Sequence, residues 1–415
     1  MMTAATSTSA LWKDRSYRYI LLGQLTSELG ASLGTLANSW IIYQVTGSQA
    51  AVGQMWLLYF VPSLVVQLLA GPYLDRYDKK RVMLFSQWMR SIAFGCSFAA
   101  IATTPGSLWP LYLTALVNGL VQPLYVPASQ SLLPALVRKD QLLQANAYLD
   151  SALRIAMIAG PPLGGILVAS IGGDQVLALV AVGYALSGAF LLPCKNAPAL
   201  PARVAESWFS MFKAGLAIFG EKPLLLYLSL YSALVQFAVG VTLVLNLPFV
   251  AGELHGTAFH VGLFLASYPF GYLFGTFLVP RLRNGREQPL IMLGSLVAGG
   301  ASFVTLGFTH MIELAILIEV LAGVAAPFFQ LHSTRLYQLH VPPAMMGRVF
   351  SVRLLIVRTT MPAGIWLGGT LSDSVGIRPL YVAIGALIVV AAVGGITLQK
   401  FVKYRIFQLF TVKRA

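Results

Sequence analysis

RIAMIAGPPLGGILVASIG (Arg154–Gly172) returns 204 positions later as RTTMPAGIWLGGTLSDSVG (Arg358–Gly376). Both stretches keep Arg-x-x-Met-x-Ala-Gly-x-x-Leu-Gly-Gly, followed by a Leu, a Ser and a Gly in register. The offset is about half of the 415 residues, so the chain reads as two homologous halves in tandem. Residues of the AVILMFWYC set make up 57% of it and charged residues only 10%, with a mean hydropathy of +0.75. That balance excludes an ordinary soluble globular protein. The halves are therefore expected to be bundles of membrane helices, a parallel repeat of the kind that builds a site between two halves.

Apolar stretches long enough for a hydrocarbon core of ~30 Å recur along the chain. Twelve are expected, at about 18–43, 51–72, 82–103, 108–133, 143–170, 175–193, 224–250, 258–280, 289–309, 312–334, 349–371 and 377–399. The fold class is thus an all-α membrane protein of two six-helix bundles, 1–194 and 223–415. A linker at 195–222 joins them, and the second bundle carries a short tail. Within the linker, Trp208, Met211, Phe212, Gly215, Leu216 and Phe219 recur at helical spacing, which predicts a short amphipathic helix tying the halves together.

A net charge of +14 would suggest nucleic acid in a soluble protein. Here the basic residues fall in alternate loops: Lys13 to Arg18, Arg76 to Arg81, Arg138 and Lys139, the linker, Arg281 to Arg286, Arg335 and Arg348, and the tail from Lys400. Arg378 is the exception. Alternation of this kind places both termini in the cytoplasm of a cell inner membrane, with membrane lipids as the partner of the positive charge and no nucleic acid. The leader before the first span is polar and basic, so no cleavable signal peptide is expected. Cys96 and Cys194 have no second Cys or His at ligand spacing; no metal and no cofactor are expected. No Ser/His/Asp set or phosphate loop is present, so an enzyme or a self-powered ATPase is not expected.

GPYLDRYDKKR (Gly71–Arg81) falls between the second and third spans. It resembles the signature loop of the major facilitator superfamily, with Gly71, Asp75, Arg76, Lys79 and Lys80 matching in place or by charge. The resemblance implies a cytoplasmic gate whose acid pairs with basic groups or helix ends in one conformation. The second half keeps only Gly275 and PRLRNGR, with Val279 where the acid would stand. The GPPLGG run (Gly160–Gly165) resembles the fifth-helix motif of the superfamily's exporters. Gln130–Arg154 and Pro342–Arg353 are similar to the drug-exporter branch that includes macrolide efflux proteins and the enterobactin exporter. This resemblance covers nearly the whole chain and implies export of a small amphiphilic substrate, of drug, macrolide or siderophore type, coupled to protons in a monomer. TALVNGLVQPLY (Thr114–Tyr125) departs from it, lacking the arginine that many proton-coupled members carry on the fourth span. Lysophospholipid transport, uptake of a small nutrient and a non-transporting sensor remain the alternatives.

Ionisable residues inside spans are costly and mark function. Glu28 lies in the stripe Gln24, Glu28, Ser32, Thr35, Ser39, whose spacing puts all five on one helix face. Carrying the coupling proton and making a structural hydrogen bond are its two readings. Asp150, Arg154, Glu319 and Arg358 are the other coupling candidates. Asp150 stands one turn before Arg154, and Glu319 is the candidate partner of Arg358. Pro161, Pro162 and Pro362, with Gly160, Gly164, Gly165, Gly364, Gly368 and Gly369, serve either hinging or close helix packing. Gln24, Asn118, Gln122, Tyr125, Gln236, Asn246 and Gln330, with the aromatics Trp40, Tyr231, Phe237 and Trp366, are expected to line an apolar substrate cavity.

Overall fold

A computed structural model describes Leu11 and residues 14–74, 77–138, 141–194, 208–279, 288–342 and 345–401. Within the first half these form α1 (Arg15–Thr46), α2 (Gln49–Leu74), α3 (Lys79–Thr103), α4 (Trp109–Leu136), α5 (Leu142–Ile171) and α6 (Gly173–Leu191). The linker contributes α7 (Trp208–Glu221). The second half holds α8 (Pro223–Pro248), which runs into one π-turn, then α9 (Ala258–Leu278), α10 (Gln288–Phe308), α11 (Ile312–His340), α12 (Met346–Arg358), α13 (Thr360–Val375) and α14 (Ile377–Phe401). Every anticipated span falls on a helix, the eleventh in two pieces. Nine helical segments among the described residues are long and apolar enough to cross a membrane. Those of α1, α3 and α4 do not reach that measure, and these three helices carry the densest polar residues of the first half.

The chain forms two compact units, 1–205 together with 257–266, and 206–256 together with 267–415. In the first, α1 packs on α5 and α6, α3 packs on α4 and α6, and α2 packs on α4. In the second, α8 packs on α13 and α10 packs on α11 and α14, the same pairs shifted by one half. The repeat is thus a repeat of packing as well as of letters. Gly119 on α4 and Gly323 on α11, again 204 apart, show it atom by atom. A Cβ on Gly119 would lie 3.0 Å from the Tyr59 Cα and would overlap the Tyr59 carbonyl oxygen of α2. A Cβ on Gly323 would overlap the Tyr268 carbonyl oxygen and come within 2.9 Å of the Tyr272 nitrogen of α9. Across the same α9–α11 contact, GYLFG (Gly271–Gly275) sets two glycines one turn apart against the backbone of Val320 and Val324.

The repeated motif itself is used for packing in both copies. Gly160 and Gly164 of α5 lie against Ser32, Leu33 and Leu36 of α1. Gly364 and Gly368 of α13 lie against Phe237 and Val241 of α8. Gly165 meets the backbone of Ala258 and Phe259, and the Pro161 carbonyl meets Gly262. Gly369 is buried in the same helix as Gly364. Helix regularity differs between the copies. α5 is continuous through Pro161 and Pro162, whereas the helical hydrogen-bond pattern lapses for one residue at Thr359, three before Pro362, with the backbone still right-handed (φ −68°, ψ −21°). Proline has no N–H to give the carbonyl four residues back, Arg358, and its ring crowds that carbonyl. The lapse sits there.

The linker helix α7 packs on α12, where a Cβ on Gly215 would come 2.6 Å from the Arg348 carbonyl. Gly215 and Phe219 are buried and Leu216 is exposed; the side chains of Trp208, Met211 and Phe212 lie outside the described set. Arg378, the exception among loops otherwise poor in Lys and Arg, is paired. Its Nε donates to Glu253 at 2.9 Å and its Nη1 to the Thr309 carbonyl at 2.5 Å, closing the end of α10.

Candidate functional site

The first unit holds a buried polar cluster on α1, α3, α4 and α6. Arg90 on α3 is its centre and retains 1% of its exposure. Its Nη2 donates to the Ser27 hydroxyl at 3.2 Å and its Nε to the Ser86 carbonyl at 3.4 Å. The guanidinium lies 4.5 Å from the Tyr184 ring centroid and 5.7 Å from that of Tyr125. Tyr184 in turn stacks on Phe94. A charge stripped of water on all sides is held by cation–π contact and hydrogen bonds.

Glu28, one residue along α1 from Ser27, is half-buried. Its Oε1 accepts from the Gln24 amide at 3.0 Å. It lies in the field of Arg90 without forming an ion pair with it. Gln87 and Tyr125 are buried beside this cluster, and neither the Gln87 amide nor the Tyr125 hydroxyl has a partner in good hydrogen-bond geometry. The rest of the α1 stripe is used in packing: Ser32 against Gly160, and Ser39 on the Thr35 carbonyl and the Met55 sulfur.

The other first-unit residues expected to face a cavity are dispersed. Asn118 bonds to the Thr114 carbonyl of its own helix at 3.0 Å, and Gln122 accepts from the Tyr59 hydroxyl at 3.3 Å. Asp150 and Arg154 form the helical ion pair that their spacing predicts, at 2.8 Å, with both side chains about half exposed (56% and 50%).

In the second unit Gln236 and Gln330 do come together, on the shared wall of two adjoining cavities of about 370 and 420 Å³. Val235 and Phe329 complete that wall. The smaller cavity is lined by Arg353 and Arg358, the larger by Tyr268, Tyr272, Leu296, Phe303 and Ile388. Asn246 is not part of either. It accepts from the Tyr381 hydroxyl at 2.7 Å. Tyr231 donates to the Ala391 carbonyl, and Trp366 is exposed.

The pairing of Glu319 with Arg358 does not occur. Arg358 lines the cavity at the level of Gln330, eleven residues along α11 from Glu319, or ~16 Å at 1.5 Å per residue. Glu319 is buried among Tyr268 and Tyr381 instead. The sequence reading passed over Arg90, although a lone arginine eight residues into the third span was the available signal. It used Arg353 only as the end of a motif.

Of the gate residues, Asp75 and Arg76 lie outside the described residues, and Gly71 is in the last turn of α2. Lys80 donates to the Leu192 carbonyl at 2.8 Å and the Cys194 carbonyl at 2.7 Å, a cation at the negative end of α6. Lys79 begins α3, next to Asp78, which caps that helix through the Arg81 N–H. Cys194 belongs to a core with Tyr17, Ile20, Met83 and Leu132. Burial pushes its thiol up to about 11, against the opposing pull of the Lys80 ammonium. In a Cys96→Ala background, methanethiosulfonate labelling of Cys194 should rise about tenfold per pH unit through pH 8 to 10, because only the thiolate reacts. A rate that levels off below pH 9 would contradict this burial.

Known proteins share this architecture. The family model described as Major Facilitator Superfamily matches residues 20–361. Macrolide efflux protein A of Streptococcus pyogenes is 24% identical over 388 residues, covering 92% of this chain and 95% of that protein. Enterobactin exporter EntS of Citrobacter koseri is 28% identical over 344 residues, covering 82% and 81%. Among solved structures, a bacterial homologue of the iron transporter ferroportin in an inward-facing state superposes with a TM-score of 0.73 at 17% identity, over 92% of this chain and 98% of that one. Nucleoside transporter NupG gives 0.70 at 15% identity, over 94% and 100%. With a tandem six-helix repeat, a multi-pass membrane architecture and a family match across most of its length, this chain belongs to the major facilitator superfamily of transporters.

Proposed function

We propose that the protein is a secondary active exporter of small amphiphilic organic compounds, driven by proton antiport and working by alternating access as a monomer in the inner membrane, with both termini cytoplasmic. The efflux relatives support the direction and the cargo class. The observation that carries the coupling is the arrangement of Glu28 and Arg90: a carboxyl held by Gln24, in the field of a buried arginine, with no ion pair fixing the two together.

The physical consequence is a switch between two helices. A protonated Glu28 is neutral, and α1 and α3 then attract one another only through packing and the Arg90–Ser27 bond. An ionised Glu28 adds a charge–charge attraction to Arg90. Taking up and releasing one proton therefore changes the force between α1 and α3. A two-state element of this kind is what transport coupled to a proton gradient requires. The arginine lacking on the fourth span is replaced in this reading by Arg90 on the third. Asp75 and the basic loop gate the cytoplasmic side, and Lys80 anchors that loop to the end of α6. Asp150, Arg154, Glu319 and Arg358 are outside the proton switch.

Everted vesicles holding a preformed proton gradient, read by a pH-sensitive dye, test this. A macrolide, a cationic dye and a siderophore are added in turn to the wild type and to Glu28→Gln. We expect one compound class to collapse the gradient in the wild type, with at least a roughly tenfold loss in the variant. Equal responses in the two proteins would remove Glu28 from the mechanism.

A further inference from the structure

Arg353 on α12 is 93% removed from solvent (7% exposed) and forms no hydrogen bond or ion pair among the described residues. Its guanidinium rests 4.5 Å from the Tyr337 ring centroid and 5.6 Å from that of Phe350, so two aromatic rings hold the charge. Arg353 lines the smaller cavity of the second unit, where Arg358, Gln236, Gln330 and Thr334 also stand. No carboxylate lines that cavity among the described residues. Five N–H donors in a planar fork, desolvated and unspent, match the oxygens of a carboxylate, sulfonate or phosphate. The adjoining cavity shares Gln236, Gln330, Val235 and Phe329 with it, and is otherwise apolar and aromatic.

We infer that the two cavities form one binding site for an amphiphilic anion, with the acidic head against Arg353 and Arg358 and the apolar body among Tyr268, Tyr272, Leu296 and Phe303. This deepens the transport reading above and rests on it, by narrowing the cargo from amphiphiles in general to anionic ones. Gln236 and Gln330, at the junction, meet the polar atoms between head and body. The α12 residues Phe350, Arg353, Leu354, Val357 and Arg358 all line the head site, so a single helix presents both of its arginines.

The test is equilibrium binding to the full-length protein in an uncharged maltoside detergent, separate from any transport readout. The probes are 1-anilinonaphthalene-8-sulfonate and N-phenyl-1-naphthylamine, which share one aromatic body and differ by the sulfonate. We expect saturable binding of the sulfonate about tenfold or more tighter than the neutral compound, the yield of a charge-assisted hydrogen bond to a desolvated arginine. Arg353→Gln should lose that preference while keeping the neutral probe. Arg358→Gln, at an exposed position that is compatible with folding, should reduce it. Ala326→Trp, filling the apolar cavity, should weaken both probes. Displacement of the sulfonate by octyl phosphate, or by phosphatidylglycerol in nanodiscs, distinguishes a soluble anion from a lipid headgroup as the source of the same chemistry. Equal affinity for the two probes in the wild type, or an undiminished preference in both arginine variants, would overturn the inference. Gradient collapse by cationic or neutral compounds in the vesicle assay would then leave proton-coupled export standing without it.

Discussion

Replacing Arg90 by alanine should cost about 3 kcal/mol of folded stability, and part of that cost should vanish when Glu28 is also neutralised. Three losses and one opposing gain set this figure. The cation–π contact with Tyr184 is worth about 1–2 kcal/mol when desolvated. The bond to Ser27 adds about 1.5 kcal/mol or more, because the donor is charged. The emptied side-chain volume adds a cavity term, and the relief of burying a guanidinium acts in the opposite direction. The diagnostic quantity is the interaction with Glu28. In the double variant Arg90→Ala/Glu28→Gln, the summed cost should fall short of the two single costs by about 1–2 kcal/mol, since the ionised carboxyl no longer loses its countercharge. Titration from mild into denaturing detergent measures all four proteins. Strict additivity would make Arg90 a structural pillar only, and would leave the proposed α1–α3 switch without its electrostatic basis.

Gly323→Val should yield almost no folded protein. The direction of a β carbon is fixed by the backbone, so no rotamer relieves the overlap with the Tyr268 carbonyl. Helices α9 and α11 would have to separate, undoing the contacts of Gly271 and Gly275 along the same seam. A cost beyond about 4 kcal/mol is expected, in the range where marginally stable proteins no longer fold. Gly119→Val should behave alike against Tyr59. Gly183→Ala is the control: an added methyl meets nothing within 4 Å, and alanine in a helix gains up to about 1 kcal/mol over glycine. Fluorescence-detected size-exclusion of the three variants separates these outcomes. Normal elution of Gly323→Val would refute the close α9–α11 approach.

Most of the fold was legible because a bilayer imposes two simple rules, a minimum apolar length and the placement of basic residues. The repeat beginning at Arg154 and Arg358 added the division into halves. Partners along one helix were also readable: Asp150 with Arg154 follows from a spacing of four. Partners across helices were not. Spacing alone could not tell that Glu319 and Arg358 lie at different levels, or that Asn246 is held by Tyr381. Arg90 was missed for a related reason. Its neighbours Ser27, Tyr125 and Tyr184 come from three other helices, so nothing near it in sequence announces the cluster. Polar stripes on one face were readable as faces, but whether Ser32 meets solvent or the backbone of Gly160 depends on which helix packs there.

The interruption at Thr359 has a mechanical meaning. An unbroken helix passes torsion from end to end, as a shaft does, and α5 is built that way through its two prolines. The second copy keeps the same course but has one softer joint: Thr359 retains a right-handed helical backbone and donates to the Leu355 carbonyl at 3.1 Å, while Pro362 has no N–H to return to Arg358. Beyond that joint the glycines of α13 are seated on α8.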